Sequence, residues 1–423
     1  MRVNQEVLEV SFIIECQSCG GPLREFLDLG HHPPTLGFIA SPSKGPKTLY
    51  PLKALRCESC GLVQSSFATD PKILWGGEYF YTSGATASFK KYLEDFADRM
   101  MKELGTKFVL DIGSNDGTAL REYHDAGVKV LGVEPSNIHE LADRHGIPTL
   151  HKFFSEEVAE EIVDSHGKAD LVTIFNVFAH IADLGSLMRG IDRVLEPGGV
   201  FLTESQYLLD VVPKLAYDTF YLEHMRYYSL RTVISLLGRY GFEVFDAERT
   251  PAIGGSIRIF AMKDNETVRE SQRYGFTPPK ESSVAELLKL EDETGLQDFQ
   301  TYADFAERVK QSKVDLNALL WRLKKEGNRI VGIGAPGRST TIINYCALGP
   351  DLIDYLVETS PLKIGKFSPG MEIPVTDEAQ LLADQPEYAV NFLWHLPEMV
   401  PKLRAKGYKG KLIFPLPTVR VLD

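Results

Sequence analysis

The stretch YLEHMRYYSL, residues 221–230, places a carboxylate directly beside an imidazole in a segment that also holds three tyrosines. His224 is a candidate general base, because a reference pKa of about 6.5 leaves imidazole mostly neutral at physiological pH. Glu223 could fix the tautomer of that ring, and the hydroxyl of Tyr221 could donate a hydrogen bond to an oxyanion. The alternative is an exposed Glu-His pair at the start of an amphipathic helix. We expect at least two of Met225, Tyr227 and Tyr228 to be core residues.

Four of the five cysteines form two C-x-x-C knuckles, each followed by glycine: Cys16 with Cys19, and Cys57 with Cys60. Two such knuckles suit one tetrahedral zinc ion, and four thiolates leave no coordination position for water. We therefore predict a structural zinc site, with a pair of disulfides or redox centres as the alternative. The 37 residues between the knuckles favour an inserted loop or hairpin. The fifth cysteine, Cys346, lies in an apolar helical pattern and is predicted to be core.

A glycine loop, VLDIGSNDGT, follows the first predicted strand of the central region at residues 109–118. Asp111 ends that strand, Gly113 permits a sharp turn, and Gly117 lets the next helix begin close to a ligand. Glu134 ends the following strand, where a carboxylate can bind the hydroxyls of a ribose. A tight turn with a solvated acid is the alternative, but the two acids together favour a nucleoside site.

The charge of this loop indicates the kind of nucleoside. Asp111 and Asp116 would repel a pyrophosphate, whereas they would attract the sulfonium of S-adenosylmethionine. For His180 a structural role is an equal alternative, and for Phe153 and Phe154 ordinary burial is the alternative to flanking an adenine. The predicted cofactor-binding residues are Asp111, Gly113, Asn115, Asp116, Gly117, Glu134, Phe154, Asn176 and His180.

A second glycine loop, GIGAPG, matches the dinucleotide pattern G-x-G-x-x-G between Gly332 and Gly337, with Glu358 21 residues further on. Such a pattern can place a pyrophosphate at a helix N-terminus and an acid on a ribose. Pro336 removes one N–H where the phosphates would need donors, although Arg338 could offer charge instead. A structural turn or another anion site is therefore favoured over a bound dinucleotide.

The elements that position these residues alternate between strand and helix patterns. KFVLDIG, KVLGVEP, ADLVTIFNVF and VFLTES read as buried strands between amphipathic helices, which predicts a parallel, doubly wound sheet. EVFDAERT and SIRIFAMKD read as closing strands, for which an antiparallel direction is one of the options. Residues 264–325 read as a helical connector whose charges face solvent, and a second, smaller α/β unit begins at RIVGIGAPGRST. The predicted domains are a zinc-binding module at 1–75, a methyltransferase domain at 76–265, and the connector with the smaller domain at 266–423.

Length, charge and hydropathy narrow the class of protein. A chain of 423 residues predicts two or three domains, and a net charge of −12 argues against nucleic-acid binding. Because we find no long apolar run and no basic leader, we expect no membrane partner and a cytoplasmic location. We also expect a monomer.

Several stretches together resemble the sugar-nucleotide C-methyltransferases, which transfer a methyl group from S-adenosylmethionine to a ring carbon of a dTDP-linked 4-keto-deoxysugar. The similar stretches, from residue 16 to about residue 418, are the two knuckles, DIGSNDGT, NVFAHIADL, EHMRYYSL, GGSIR, GAPGRSTTIINYC, ETSPLKIGKFSPGMEIPV and IFPLPTV. The resemblance implies a zinc-binding N-terminal domain, a class I Rossmann-like methyltransferase domain, and a C-terminal Rossmann-like domain. It implies that this last domain binds no dinucleotide and helps to form the sugar-nucleotide pocket.

The resemblance also implies roles for individual residues. His224 corresponds to the family's base, with Glu223 and Tyr221 in the same motif, and either Tyr81 or Tyr79 lines the site from the zinc module. The chain departs from the family at Leu222, where we expect a second histidine. This puts the choice of substrate in more doubt than the reaction.

The implied reaction is carbon methylation in deoxysugar or antibiotic biosynthesis. Lys363 and Lys366 could bind the pyrophosphate of the substrate, although loop lysines usually contact only water. The alternatives are a methyltransferase acting on a non-sugar or heteroatom acceptor, a nicotinamide-dependent oxidoreductase using GIGAPG, and a non-catalytic zinc-organised binding protein.

Overall fold

The two predicted zinc knuckles lie at the open end of a β-hairpin. The computed structural model describes residues 11–77, 79–263, 281–393 and 396–423. Strands β2 and β3 pair antiparallel, so the residues between the knuckles form the predicted hairpin, with an excursion at residues 33–49. The elements of this region are β1 (Ser11–Phe12), β2 (Leu23–His32), β3 (Tyr50–Cys57), β4 (Val63–Ser65), β5 (Phe67–Ala68) and helix α1 (Pro71–Trp75).

The central region is the predicted doubly wound sheet. All five residues of its first strand are buried, because helices cover both faces. The helices are α2 (Ala87–Leu104), α3 (Thr118–Asp125), α4 (His139–Arg144), α5 (Glu156–His166), α6 (Leu184–Val194), α7 (Leu208–Val211) and α8 (Leu230–Gly238). The strands are β6 (Phe108–Ile112), β7 (Lys129–Val133), β8 (Thr149–Leu150), β9 (Ala169–Phe175), β10 (Leu195–Gln206), β11 (Arg226–Tyr227), β12 (Phe242–Thr250) and β13 (Ser256–Lys263).

Seven of these strands lie in the order β12-β13-β10-β9-β6-β7-β8. The five strands from β10 to β8 run parallel to one another. The closing strand β13 pairs antiparallel with both β10 and β12. The carboxyl ends of β6, β7 and β9 therefore share one edge of the sheet. That edge carries the first glycine loop and Glu134.

Strand β11 belongs to a different sheet from its sequence neighbours. It pairs antiparallel with β4, and the resulting order is β11-β4-β3-β2. The sequence places residues 221–230 in the methyltransferase region. The pairing with β4, however, makes Arg226 and Tyr227 of this segment the outer strand of the knuckle sheet. The segment with Glu223 and His224 is thereby fixed between two parts of the chain.

The C-terminal region is the predicted second α/β unit, preceded by two helices. Its sheet has the order β16-β15-β14-β17-β18-β19, parallel except for β19. The helices are α9 (Glu281–Glu293), α10 (Phe299–Lys325), α11 (Gly337–Tyr345), α12 (Glu378–Asp384) and α13 (Leu396–Ala405). The strands are β14 (Ile330–Ile333), β15 (Leu356–Val357), β16 (Val375–Thr376), β17 (Tyr388–Asn391), β18 (Lys411–Phe414) and β19 (Arg420–Leu422).

The mixed α/β class is thus confirmed, with an N-terminal module before a doubly wound, Rossmann-like domain and a smaller α/β unit after it. The predicted boundary between residues 265 and 266, and the start of the connector at 264–280, lie outside the described residues. No helix in the described ranges combines the length and the apolar character needed to cross a bilayer.

One connector charge departs from the expectation of a solvated face. Glu291 of α9 is fully buried and accepts hydrogen bonds from the Tyr207 hydroxyl at 2.9 Å and from the backbone N–H groups of Leu230 and Arg231. Those two amides begin α8, which would otherwise leave them without partners. Glu291 therefore docks the connector on the helix that follows the His224 segment.

We expect Glu291→Ala to lower the free energy of unfolding by about 3 kcal/mol, because it leaves a buried hydroxyl and two amides without their charged acceptor. Urea unfolding followed by circular dichroism measures the change. Glu293→Ala, which removes an exposed carboxylate two residues away, is the control and should leave the midpoint unchanged. Equal losses in the two variants would contradict a docking role for Glu291.

Candidate active site and metal centre

The four knuckle cysteines converge on one point. The sulfur atoms of Cys16, Cys19, Cys57 and Cys60 all lie within 4.8 Å of one another, and all four thiols are free. Two Sγ–Sγ distances, Cys16–Cys60 and Cys19–Cys57, are 3.5 Å. Zn–S bonds of about 2.3 Å would place tetrahedral ligands about 3.8 Å apart, so the cluster fits zinc with little movement.

The turn geometry of the first glycine loop requires its glycines. Gly113 has φ 76°, and a Cβ there would come within 2.5 Å of Val177. Gly117 has φ 75° and precedes α3, and Asn115 also has a positive φ, of 52°. The loop therefore wraps tightly against the end of β9 and presents the start of α3 at the sheet edge.

Asp111 lies beneath this loop and not on its surface. Its carboxylate accepts a hydrogen bond of 2.6 Å from the Thr173 hydroxyl on β9. The pKa of Asp111 is raised to about 7. Burial is the main cause, the charge of Glu134 adds to it, and the hydrogen bond from Thr173 opposes it. The residue ties β6 to β9, so it offers less negative charge to a sulfonium than the sequence argument assumed.

Asn115 and Asp116 hold a covering turn at residues 83–85, which sequence reasoning missed. The Asp116 carboxylate accepts the backbone N–H of Gly84 at 2.9 Å and the Thr118 hydroxyl at 2.6 Å. The Asn115 side chain accepts the backbone N–H of Ser83 at 2.8 Å. The small residues of TSGATAS were the available signal, since only small residues let a turn approach another loop so closely.

Glu134 stands at the carboxyl end of β7, as predicted. Its two carboxylate oxygens accept the backbone N–H groups of Asn115 at 2.9 Å and Ser136 at 2.8 Å. Each oxygen keeps a lone-pair direction for a further donor, because a carboxylate offers about four acceptor positions. The carboxylate is thus fixed in orientation and can still accept ribose hydroxyls.

Asn176 and Phe154 occupy different kinds of position. Asn176 has a left-handed backbone, φ 58°, and its side-chain oxygen is buried without a partner among the described residues. Such an atom calls for a donor from a ligand or water. Phe154 is buried against Gly190 of α6, where a Cβ would come within 2.8 Å of its ring, and this favours the ordinary-burial alternative. Phe153 is exposed.

His224 is buried and its ring is fixed on one side. Its Nδ1 lies 2.8 Å from the carbonyl oxygen of Thr219, so a neutral ring must carry its proton on Nδ1 and its lone pair on Nε2. Burial lowers the pKa of His224 well below its usual value, and His180 and Arg338 lower it further while the Thr219 bond opposes them. The structure therefore presents a neutral imidazole with a basic Nε2.

The rings around His224 form a stack. The ring centroids of Tyr221 and His180 lie 3.9 Å and 4.9 Å from that of His224, and Trp75 stacks on His180 with a centroid distance of 5.3 Å. Burial lowers the pKa of His180 to about 3, with a further contribution from the charge of Arg226. The Nε2 atom of His180 has no hydrogen-bond partner in the described part of the chain.

Glu223 is held by a residue that sequence reasoning missed. Its Oε1 accepts hydrogen bonds from the backbone N–H of Thr35 at 3.0 Å and from the Thr35 hydroxyl at 2.5 Å. Burial raises the pKa of Glu223, although both Thr35 bonds oppose this. Its Oε2 is buried without a partner among the described residues and is free to accept a donor from a ligand.

Of the two candidate tyrosines from the N-terminal region, Tyr79 contacts this stack. Tyr79 contacts Trp75, ring to ring at 5.2 Å, and its pKa is raised by burial and by charges at Glu134, Tyr81, Glu223 and Tyr221. Tyr81 is 43% exposed, and its backbone carbonyl accepts a hydrogen bond from the Asn115 side chain.

The other aromatic residues of the motif pack in the core, as expected. Tyr227 stacks on Phe220 at 4.0 Å and donates its hydroxyl to the backbone carbonyl of His224. Met225 and Tyr228 are buried. Leu222 is also buried in the apolar core, so the structure gives it a packing role.

The second glycine loop uses its polar groups internally. The Glu358 carboxylate accepts the backbone N–H groups of Ala335, Thr359 and Ser360, and the ammonium of Lys363 donates to the Ala335 carbonyl at 3.0 Å. Lys363 is buried, contrary to the expectation of an exposed loop lysine. The acid and the amide that a dinucleotide would use therefore already have partners.

Helix α11, which follows that loop, docks on the His224 segment instead. Arg338 pairs with Asp218 through two hydrogen bonds of 3.0 and 2.7 Å, and Asp218 immediately precedes the Thr219 carbonyl that fixes His224. The Thr340 hydroxyl donates to the Thr35 carbonyl at 3.1 Å. Three regions of the chain thus meet at Glu223 and His224.

Comparison with protein families divides the chain into three matches. Residues 16–75 match a family described as "Putative zinc binding domain", residues 87–247 match "Methyltransferase domain", and residues 251–417 match "C-methyltransferase C-terminal domain". The domain boundaries that we drew from the sequence remain predictions.

Individual relatives agree with these matches. The C-methyltransferase NovU of Streptomyces niveus is 30% identical over 421 residues, which cover 97% of each chain. A ubiquinone biosynthesis O-methyltransferase of Pseudomonas paraeruginosa is 26% identical over 137 residues, 27% of this chain and 57% of that protein. A solved structure of an S-adenosylmethionine-dependent methyltransferase from Archaeoglobus fulgidus is 16% identical. The match covers 41% of this chain and 94% of that protein's chain, with a TM-score of 0.34.

We expect Cys57→Ser to lose the zinc that the wild-type chain holds at about one ion per chain, because a hydroxyl is a far weaker ligand than a thiolate. Metal analysis of the purified proteins measures the stoichiometry. Cys346→Ala removes the one cysteine outside the cluster and should retain the ion. Equal zinc content in the two variants would exclude the four-cysteine site.

Proposed function

The chain belongs to the C-methyltransferase family that combines a zinc-binding domain, an S-adenosylmethionine-dependent methyltransferase domain and a C-methyltransferase C-terminal domain, and we propose that it methylates a ring carbon beside the ketone of a dTDP-linked 4-keto-deoxysugar. The zinc is structural, since four cysteines fill its coordination. The observation that carries the proposal is the state of His224: buried, neutral, and oriented with Nε2 as the basic atom.

Carbon methylation needs a base because a proton beside a ketone is only weakly acidic. We assign Nε2 of His224 to take that proton; the C–H electron pair then forms a double bond to the carbonyl carbon, and the former C=O π pair moves onto the oxygen to give an enolate. The Thr219 carbonyl accepts the hydrogen bond from Nδ1–H before and after this step, so it stabilises the imidazolium that results. The enolate carbon would bond to the methyl group as the carbon–sulfur bond breaks and its electron pair stays on sulfur. After methyl transfer the imidazolium returns its proton to solvent.

The enolate oxygen needs a hydrogen-bond donor, and a neutral donor adds no positive charge that would repel the sulfonium. Tyr221, stacked on the base, and Tyr79 or Tyr81 from the N-terminal region are the donors that we assign. Burial raises the pKa of Tyr221, and Glu223 adds to the effect, so its hydroxyl keeps its proton. The free Oε2 of Glu223 would accept a sugar hydroxyl.

S-adenosylmethionine, when bound, supplies an electrophilic methyl group. The residues that we assign to hold it lie at the sheet edge: Glu134 for the ribose, the unpartnered Asn176 oxygen for a donor group, and the turn at Gly113 and Gly117 for close approach. Asp111 and Asp116 shape this edge through Thr173 and Gly84.

The acceptor proposal rests on the stretches shared with sugar-nucleotide enzymes and on the base itself. Methylation of a hydroxyl or an amine would not require removal of a proton from carbon, so exchange of a carbon proton distinguishes the proposed acceptor from these two. The ammonium of Lys366 lies 4.2 Å from the centroid of the Phe80 ring, and Phe80 is between the two candidate tyrosines in sequence. This cation could attract the diphosphate of a nucleotide sugar.

We expect the wild-type enzyme, bound to S-adenosylhomocysteine in deuterium oxide, to exchange the ring proton beside the ketone of a dTDP-4-keto-6-deoxysugar, and His224→Asn to abolish that exchange. Proton NMR of the sugar measures the rate against an enzyme-free sample. Calorimetry should show similar affinity of the two proteins for S-adenosylhomocysteine, because the base is not part of the cofactor cradle.

His145→Asn, which changes an exposed histidine at the end of α4, is the matched control and should exchange at the wild-type rate. Undiminished exchange in His224→Asn would reject the base assignment. Methyl transfer by the wild-type enzyme without any carbon exchange would favour a heteroatom acceptor.

The pH dependence of kcat/KM should lack a titration near pH 6.5. Because burial depresses the pKa of His224, its basic form persists below the usual range and is lost only as the pH falls through the depressed value. We therefore expect activity to vary by no more than about twofold between about pH 6 and 8. Initial rates across that range test this, and a tenfold fall centred on pH 6.5 would contradict it.

A further inference from the structure

Arg226, two residues after the proposed base, is one of the largest fully buried side chains of the protein, with 1% of its surface exposed. Among the described residues its guanidinium makes no ion pair with a carboxylate. A buried charge without a counter-charge costs several kcal/mol unless hydrogen bonds replace its water. The position therefore calls for an explanation beyond stability.

Within the described ranges, the guanidinium donates only to neutral acceptors. Nη1 donates to the side-chain oxygen of Gln17 at 2.9 Å, and Nε donates to the Tyr228 hydroxyl at 3.0 Å. Nη2 donates to two backbone carbonyls, those of Phe178 at 3.1 Å and Ile181. The planar fork of arginine can serve these diverging acceptors at once, which the ammonium of lysine cannot.

These acceptors belong to separate parts of the site. Gln17 lies between the two cysteines of the first zinc knuckle, and its backbone N–H donates to the Gln64 side chain at 2.9 Å. Gln64 stands directly opposite Arg226 in the β4–β11 pairing. Phe178 and Ile181 flank His180, which stacks on the base.

Backbone hydrogen bonds run alongside the same link. The N–H of Met225 donates to the Ala179 carbonyl at 2.9 Å, and the Met225 carbonyl accepts the N–H of Ser65 at the end of β4. His224 therefore sits next to a residue that is bonded on one side to the His180 loop and on the other to the knuckle sheet.

We propose that Arg226 is a positioning residue that, through Gln17, couples the first zinc knuckle to the His180 loop and to the base-bearing segment. This inference rests on the proposed role of His224. In this arrangement the zinc centre fixes Gln17, Gln17 fixes the guanidinium, and the guanidinium holds His180 against His224. The zinc module then has a second task besides its own folding, which is to set the geometry of the base.

The charge of Arg226 serves the same end. It lowers the pKa of His180 in addition to the effect of burial, which keeps the neighbouring ring neutral and so avoids a cation beside the base. Methionine or leucine at this position would remove the guanidinium donor from the Ile181 carbonyl and leave the Phe178 carbonyl with the 3.3 Å hydrogen bond from the Tyr228 hydroxyl. Neither would provide the electrostatic effect.

The test uses Gln17→Leu, which cuts the link on the zinc side and leaves the other three acceptors of Arg226 in place. We expect it to keep one zinc per chain and to bind S-adenosylhomocysteine within about twofold of the wild-type affinity. In 15N-histidine-labelled protein the His224 signals, assigned by their absence in His224→Asn, should lose the fixed Nδ1-protonated pattern. Turnover should fall about tenfold to a hundredfold through kcat, as expected for a misplaced base.

Arg226→Lys is the second variant, because it retains the charge and loses the fork, and it should show the same change in the His224 signals. Ser18→Ala, in the same knuckle, removes a hydroxyl that has no partner in the described part of the chain and should match the wild type. If both link variants keep zinc and cofactor affinity with unchanged His224 signals, the proposal is overturned.

The NMR readout needs no acceptor, so it separates this inference from the proposed function. Altered His224 signals in both variants, together with a wild-type enzyme that exchanges no carbon proton, would support the link and reject the base role. If Gln17→Leu loses zinc, Arg226→Lys decides the outcome alone.

Discussion

The pairing of β11 with β4 is the contact on which the geometry of the site depends. Arg226 and Tyr227 come from the methyltransferase region of the chain, but they pair with the sheet of the zinc module as its outer strand. The segment before them is thereby drawn between the His180 loop and α11, where Thr219 and Asp218 receive their partners. Residues that are adjacent in the chain are in this way held by three separate regions, and a neutral imidazole acquires a fixed orientation.

Burial sets the chemistry of this position more than any single charge does. Desolvation lowers the pKa of both histidines and raises those of Glu223 and Tyr221, so each group is driven towards its neutral form. Among the described residues, polar atoms such as Glu223 Oε2 and His180 Nε2 are buried without hydrogen-bond partners, which is costly in a folded protein. A bound ligand can donate hydrogen bonds to these atoms, and the free energy of those hydrogen bonds then favours binding.

Local patterns in the sequence predict the elements but not the contacts between them. The strand and helix periods and the C-x-x-C spacing within each knuckle predict the elements and the cysteine cluster, because each pattern depends on residues that are close in the chain. The sequence around His224 likewise predicts a candidate base. Thr35 and Glu223 are 188 residues apart, and Gln17 and Arg226 are 209 apart, so neither contact leaves a periodic signal. The buried Glu291 looked like a solvated charge for the same reason: its partners lie 60 or more residues away.

The two glycine loops show why a pattern of glycines does not by itself assign a ligand. Both give a tight turn from strand to helix, and both are followed by an acid at the end of the next strand. In the first, Glu134 spends one lone pair of each oxygen on a backbone amide and retains the others. In the second, Glu358 meets three amides and lies near Lys363, while Arg338 is committed to Asp218. What distinguishes a cofactor loop from a docking loop is therefore the set of donors and acceptors left over after folding, and that set is fixed by tertiary contacts.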